Sequence, residues 1–108
     1  MAKQKRDNER KGDVAVLDRT DDKTKKPRKF KVILLNDDFT PMAFVIALLV
    51  SVFRKSGAEA TRLMLTVHQE GKGIAGVYSR EIAETKAVQA RQLAQSEGHP
   101  LLAQIEPE

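Results

Sequence analysis

Phe30-Lys31-Val32-Ile33-Leu34-Leu35-Asn36-Asp37-Asp38-Phe39-Thr40-Pro41-Met42 is the stretch on which the fold turns. Phe30 to Leu35 is a short apolar run rich in β-branched residues, which reads as a buried strand. Asn36-Asp37-Asp38 closes it, because short polar side chains bond their own backbone and favour turns. Thr40-Pro41 then opens a helix: Thr supplies a capping oxygen, and Pro at the first helical position has no N–H to leave unpaired. The following run, Met42 to Phe53, is interrupted only by Ser51, so this helix is a buried one extending from Pro41 to about Arg54. At twelve residues the run falls short of the ~18 that suggest a membrane span.

Downstream, Ser56 with Glu59 three residues later is a capping box, and Ala60, Leu63, Met64 and Val67 repeat at helical spacing. The spacing predicts a second helix ending near Gln69. Gly71 and Gly73 bracket its exit, and Ile74 to Tyr78 is a short strand. Ser79 caps a third helix with the apolar stripe Ile82, Ala83, Ala87, Ala90, Leu93 and Ala94. That helix stops at Gly98-His99-Pro100, and Leu101 to Ile105 make the last strand. The order β-α-α-β-α-β implies an α/β (α+β) two-layer sandwich, a small three-stranded sheet with helices on one face.

Charge divides the chain. It carries 19 Lys plus Arg and 15 Asp plus Glu, a net +4. Residues 1–31 hold twelve basic and six acidic side chains, so the remainder is slightly acidic. Apolar residues are sparse in residues 1–29 and make up about half of 30–108. The first segment is expected to be a flexible polar, basic tail, because it cannot offset its ordering entropy by burial. Residues 30–108 are expected to form the one folded domain. With no cysteine, disulfides, thiolate metal sites and cysteine catalysis are excluded. The tail lacks the apolar core of a secretory signal, so a cytoplasmic location is expected.

The chemistry-bearing motifs are few. Gly71-Lys72-Gly73-Ile74-Ala75-Gly76 matches G-x-G-x-x-G, yet it follows a helix and enters a strand, the reverse of what a dinucleotide site needs, and reads as a turn. The basic tail allows an alternative reading as a small nucleic-acid-binding protein, against which stand a single tyrosine and an acidic body. Asn36, Asp37, Asp38, His68 and His99 lack the spacing of a metal or calcium site, and none of the four serines lies in G-x-S-x-G. No enzyme, catalytic residue, metal or cofactor is expected. The residues taken alone point to a binding module with a small polar-rimmed apolar pocket.

The letters go further than the pattern. Val32 to Met42, then Leu63-Met64-Leu65-Thr66-Val67-His68-Gln69, Ile82-Ala83-Glu84-Thr85-Lys86 and His99-Pro100-Leu101 closely resemble the ClpS family, bacterial adaptors that recognise N-degron substrates for the ClpAP protease. The likeness spans residues 30–108. It implies a site for the first residue of a substrate chain, bulky and hydrophobic: Leu, Phe, Tyr or Trp. A free α-amine is largely cationic at neutral pH, so it needs acceptors and gains from nearby negative charge. At the matching positions Asn36, Asp37 and His68 are implied to bind the amine, Asn36 offering a carbonyl and neutral His68 a ring lone pair. Asp37 and Asp38 lower the potential and can accept N–H bonds from the next residues.

The resemblance also implies a side-chain pocket lined by Thr40, Met42, Val45, Met64, Val67 and Leu101, with Met42 as a gatekeeper excluding β-branched residues. It places Glu81 and Lys86 on a face of the third helix that docks the N-terminal domain of the ClpA unfoldase, and both are expected to face solvent. The partners it implies are N-degron peptides and proteins and a ClpA-type AAA+ unfoldase, with no nucleic acid and no membrane, and the chain is expected to be a monomer. Two positions depart from the family pattern. Ala43 stands where a glutamate usually completes the helix cap, and Arg80 where a small or uncharged residue is usual.

Overall fold

The computed structural model describes residues 27–108. The expected tail, residues 1–29, lies outside the described residues as far as residue 26. Its last residue belongs to the domain, since the first strand already includes Lys29 and the Glu108 N–H donates to the Lys29 carbonyl. The elements are β1 (Lys29–Leu35), α1 (Met42–Ser51), α2 (Gly57–Glu70), β2 (Lys72–Ser79), α3 (Arg80–Ser96) and β3 (Leu102–Pro107). They give the two-layer β-α-α-β-α-β arrangement expected from the sequence.

β1 is the central strand of an antiparallel sheet ordered β2-β1-β3. Central position explains its composition: Val32 and Leu34 point into the helical layer and are closed to solvent. A bulge in β2 opposite Val32 and Ile33 inserts one extra residue, Ala75, whose side chain joins the core. α3 runs across all three strands, α2 packs along β2, and α1 packs on α2. On α3 the residues turned inward are Ala83, Ala87, Ala90 and Ala94. Their small size lets the helix backbone lie close to the sheet.

Local signals place most boundaries. Ser56 and Glu59 form the capping box, and the Ser79 hydroxyl accepts from the Ile82 N–H. Gly71 ends α2 in the left-handed region, φ 88°, which turns the chain straight into pairing with Leu35. β2 therefore starts at Lys72 rather than at Ile74. β3 starts one residue after Leu101, because that side chain drops into the core before pairing begins.

Three expectations need correction. Thr40 does not cap α1: Pro41 is the N-cap residue, with no side-chain bond, and the Thr40 hydroxyl is spent on Asp37. Thr40 precedes a proline, which disfavours helical backbone there. α1 ends at Ser51 rather than Arg54, because Arg54 adopts a left-handed backbone, φ 57°, which terminates the helix. Ile82 is not part of the buried stripe: it is 48% exposed, lying off the narrow alanine face that meets the sheet.

Candidate functional site

The turn from β1 into α1 is built around one carboxylate. Asp37 Oδ1 accepts from the backbone N–H of Phe39 and of Thr40, each at 2.8 Å, and Oδ2 accepts from the Thr40 hydroxyl at 2.7 Å. Partial burial pushes the Asp37 pKa up, but the Thr40 hydroxyl, the two backbone N–H bonds and the nearby His99 outweigh it, and the carboxyl sits below its ordinary value. A carboxylate offers about four lone-pair directions, so most of this one is committed within the turn. Asp38 beside it is exposed.

One backbone bond ties this turn to the end of α2, which a second closes. The Asn36 N–H donates to the Gly71 carbonyl at 2.9 Å, and the Gly71 N–H donates to Val67 at 3.0 Å. His68, in the last turn of α2, is thereby brought to the same corner as Asn36. Asn36, Asp38 and His68 are all exposed, and their side chains make no hydrogen bond among the described residues. The corner thus presents a free amide, a free carboxylate and an imidazole. Together these can accept hydrogen bonds from a cation and supply negative potential around it.

The apolar positions are mostly core. Val45 of α1, Met64 and Val67 of α2 and Leu101 ahead of β3 belong to one core cluster, each between 3 and 7% exposed. Thr40 is half-buried at their edge, and Met42, at 44%, is the exposed member of the set. Four of the six positions are therefore core residues whose outer faces only are within reach of a ligand. Phe39 lies in the quoted stretch, yet the sequence reading gave it no role. Held on the Asp37 turn, it is 81% exposed. The signal available was its place between a turn-forming Asp pair and Thr-Pro, where side chains point outward.

Tertiary contacts assign work that spacing could not. The His99 ring packs edge-on against Phe44 of α1, centroids 4.6 Å apart, bracing the helix beside the Asp37 turn. On α3, Glu81 is exposed. Lys86 is not solvent-facing as expected: it is half-buried, its ammonium donates to the Val52 carbonyl at the end of α1 at 2.7 Å, and it lies 5.9 Å from the centre of the Tyr78 ring. The bare end of α1 explains the difference, since its last turn has no basic residue of its own to meet the final carbonyls. Arg80 pairs with Glu84 at 3.3 Å across one helical turn and faces the Phe30 ring at 5.7 Å.

Residues 25–104 match the family model described as the ATP-dependent Clp protease adaptor protein ClpS. The ATP-dependent Clp protease adapter protein ClpS of Deinococcus radiodurans is 53% identical over 97 residues, covering 90% of this chain and 84% of the relative. That of Desulfatibacillum aliphaticivorans is 53% identical over 93 residues, covering 86% and 89% respectively. Among solved structures, Agrobacterium tumefaciens ClpS2 bound to L-phenylalaninamide superposes with a TM-score of 0.75 at 46% identity, over 77% of this chain and all of that one. The match runs through the Asp37 turn, the α2 terminus that carries His68 and the face of α3: the chain belongs to the ClpS family of adaptors of the ATP-dependent Clp protease.

Proposed function

We propose that this adaptor recognises proteins beginning with a free, bulky hydrophobic residue (Leu, Phe, Tyr or Trp) and hands them to the ClpA unfoldase of the ClpAP protease. What supports the reading is the pair of features described above: exposed Asn36, Asp38 and His68 side chains without hydrogen bonds among the described residues, and a buried apolar cluster that includes Val45, Met64, Val67 and Leu101. A terminal ammonium bonded to Asn36, Asp38 and His68 would leave its side chain directed toward Val45, Met64, Val67 and Leu101. Asp37 contributes by holding the turn in shape and by its charge. An acetylated or internal residue carries no ammonium and would cover these acceptors without pairing them, at about 1 to 3 kcal/mol for each group it buries. Burying one Leu or Phe side chain adds roughly 1.5 to 3 kcal/mol, so amine and side chain are read with similar weight.

The Agrobacterium relative supports this reading by its ligand. L-phenylalaninamide has a free α-amine, an aromatic side chain and an amide where the next peptide bond would stand. Met42 is the proposed gate: a flexible thioether stem beside the substrate Cβ, where Ile and Val carry an extra branch. Delivery is proposed to use the α3 face that includes Glu81 and Lys86, in the cytoplasm, with the chain acting as a monomer and without catalysis, metal or cofactor.

Fluorescence anisotropy with a Leu-initiated peptide, its acetylated form and an oligonucleotide tests the reading. The free peptide should bind, and acetylation should weaken it at least about tenfold. Equal affinity for both peptides, or binding of the oligonucleotide alone, would refute it. Asn36→Ala and His68→Ala should each weaken the free peptide without unfolding the domain. Met42→Ala should admit Ile and Val at the first position.

A further inference from the structure

The chain leaves both α3 and α1 through a residue of left-handed backbone, but the two residues differ. α3 closes with Gly98 at φ 77°, the Gly98 N–H donating to Gln95 at 3.0 Å and the His99 N–H to Ala94 at 2.8 Å. These are the paired bonds of a left-handed helix stop, for which glycine is the favoured residue. α1 is closed differently: the Lys55 N–H donates six residues back, to Leu49 at 3.1 Å, and the left-handed position is held by Arg54 at φ 57°. Among the described residues Arg54 is the one non-glycine residue with positive φ. A long, branched-headed side chain is thus kept where the backbone disfavours it.

Arg54 is exposed and stands over a shallow groove along the seam of α1 and α3, lined also by Ser51, Val52, Lys86, Gln89 and Gln92. The lining carries two cations and no carboxylate. Lys86 spends one N–H on the Val52 carbonyl and keeps two. The glutamines add neutral donors, and the carbonyl end of α1 is already met by Lys86. The seam is a basic concavity whose strongest free donor is the Arg54 guanidinium, a planar fork suited to a carboxylate.

We infer that the α1–α3 seam receives an acidic side chain, Asp or Glu, from the Clp unfoldase, with Arg54 as its principal contact. This rests on the proposed delivery to that unfoldase and adds a residue and a charge sign to it. It also accounts for the arginine. A glycine would suit the backbone better but would leave Lys86, half-buried and bonded to α1, as the sole cation of the groove.

The test measures two quantities on the full chain. Binding to the purified unfoldase is followed by biolayer interferometry at low and high salt, and thermal unfolding is followed in parallel. Arg54→Gly should weaken unfoldase binding about fivefold, within the range of exposed ion pairs, while Tm rises by a few degrees because the backbone is relieved. Arg54→Lys should retain most of the binding, Arg54→Glu should weaken it further than Gly, and the wild-type advantage should shrink as salt rises. Binding of the Leu-initiated peptide, at the other end of α1, should be unchanged in all three. If Arg54→Gly and Arg54→Glu bind the unfoldase as wild type does, the inference is overturned and Arg54 serves only the carbonyl end of α1. If the wild-type chain binds the peptide but not the unfoldase, delivery itself fails and the inference with it.

Discussion

The two ends of α1 solve one problem in opposite ways. The helix is apolar along its length, with no acidic residue in its first turn and no basic residue in its last, so both ends need help from outside. At the N-terminal end that help is local: Asp37 organises Phe39 and Thr40 within three residues of itself. At the C-terminal end it comes from 34 positions away, as Lys86 reaches across from α3 to Val52. The local end builds a stiff turn on which Asp38 and Phe39 are displayed. The remote end ties two helices together and uses up part of a charge that would otherwise face solvent. One carboxylate and one ammonium are thus largely structural, although both lie among residues of functional interest.

Removing the local organiser should have the largest effect. Asp37→Ala deletes three hydrogen bonds to a charged acceptor and should cost about 2 to 3 kcal/mol in urea unfolding. It should also weaken a Leu-initiated peptide, because the turn that presents Asn36 and Asp38 loses its shape. If stability is unchanged, the turn is held by something other than Asp37.

The remote end should yield less. Lys86→Met keeps an apolar stem near Tyr78 and leaves the Val52 carbonyl without its donor, so we expect a loss of about 1 to 2 kcal/mol with peptide affinity unaltered. A variant as stable as wild type would show that the bond contributes nothing and that Lys86 is available to a partner. A peptide affinity that falls in parallel would show that the two ends of α1 are coupled.

The smallest effect is a pH dependence confined to the local end. The Asp37 carboxyl lies below its ordinary value, so its contribution is fully present above the unfolded carboxylate value of about 3.9 and is lost as pH falls through the folded one. The stability difference between wild type and Asp37→Asn should be level from pH 7 to 5 and shrink below about pH 4. A difference that shrinks already between pH 7 and 5 would show that the Asp37 carboxyl is not held below its ordinary value.

Much of the fold was legible because its determinants are neighbours in the chain. The Ser56–Glu59 capping box, the Ser79 cap and the glycine exits from α2 and α3 act over three or four residues and appear where the spacing puts them. Thr40 shows the limit of such reasoning. It has the composition of a cap, but Pro41 takes the N-cap position and leaves Thr40 one residue outside the helix, where its hydroxyl donates to Asp37. Ile82 shows another limit: helical periodicity gives the direction of a face but not its width, which the alanine stripe against the sheet sets.

The sequence by itself determined the order of elements, the buried central strand, the family and a short list of candidate site residues. Tertiary structure alone decided which of these remain free to bind. It committed Asp37 and left Asp38 open, drew Lys86 onto Val52, set His99 against Phe44 and left Phe39 outside. The physical reason is range. Capping, turn formation and burial pattern are written in residues three or four apart, whereas the partner of a charge at the end of a helix is whichever donor the packing of another element brings within hydrogen-bond distance.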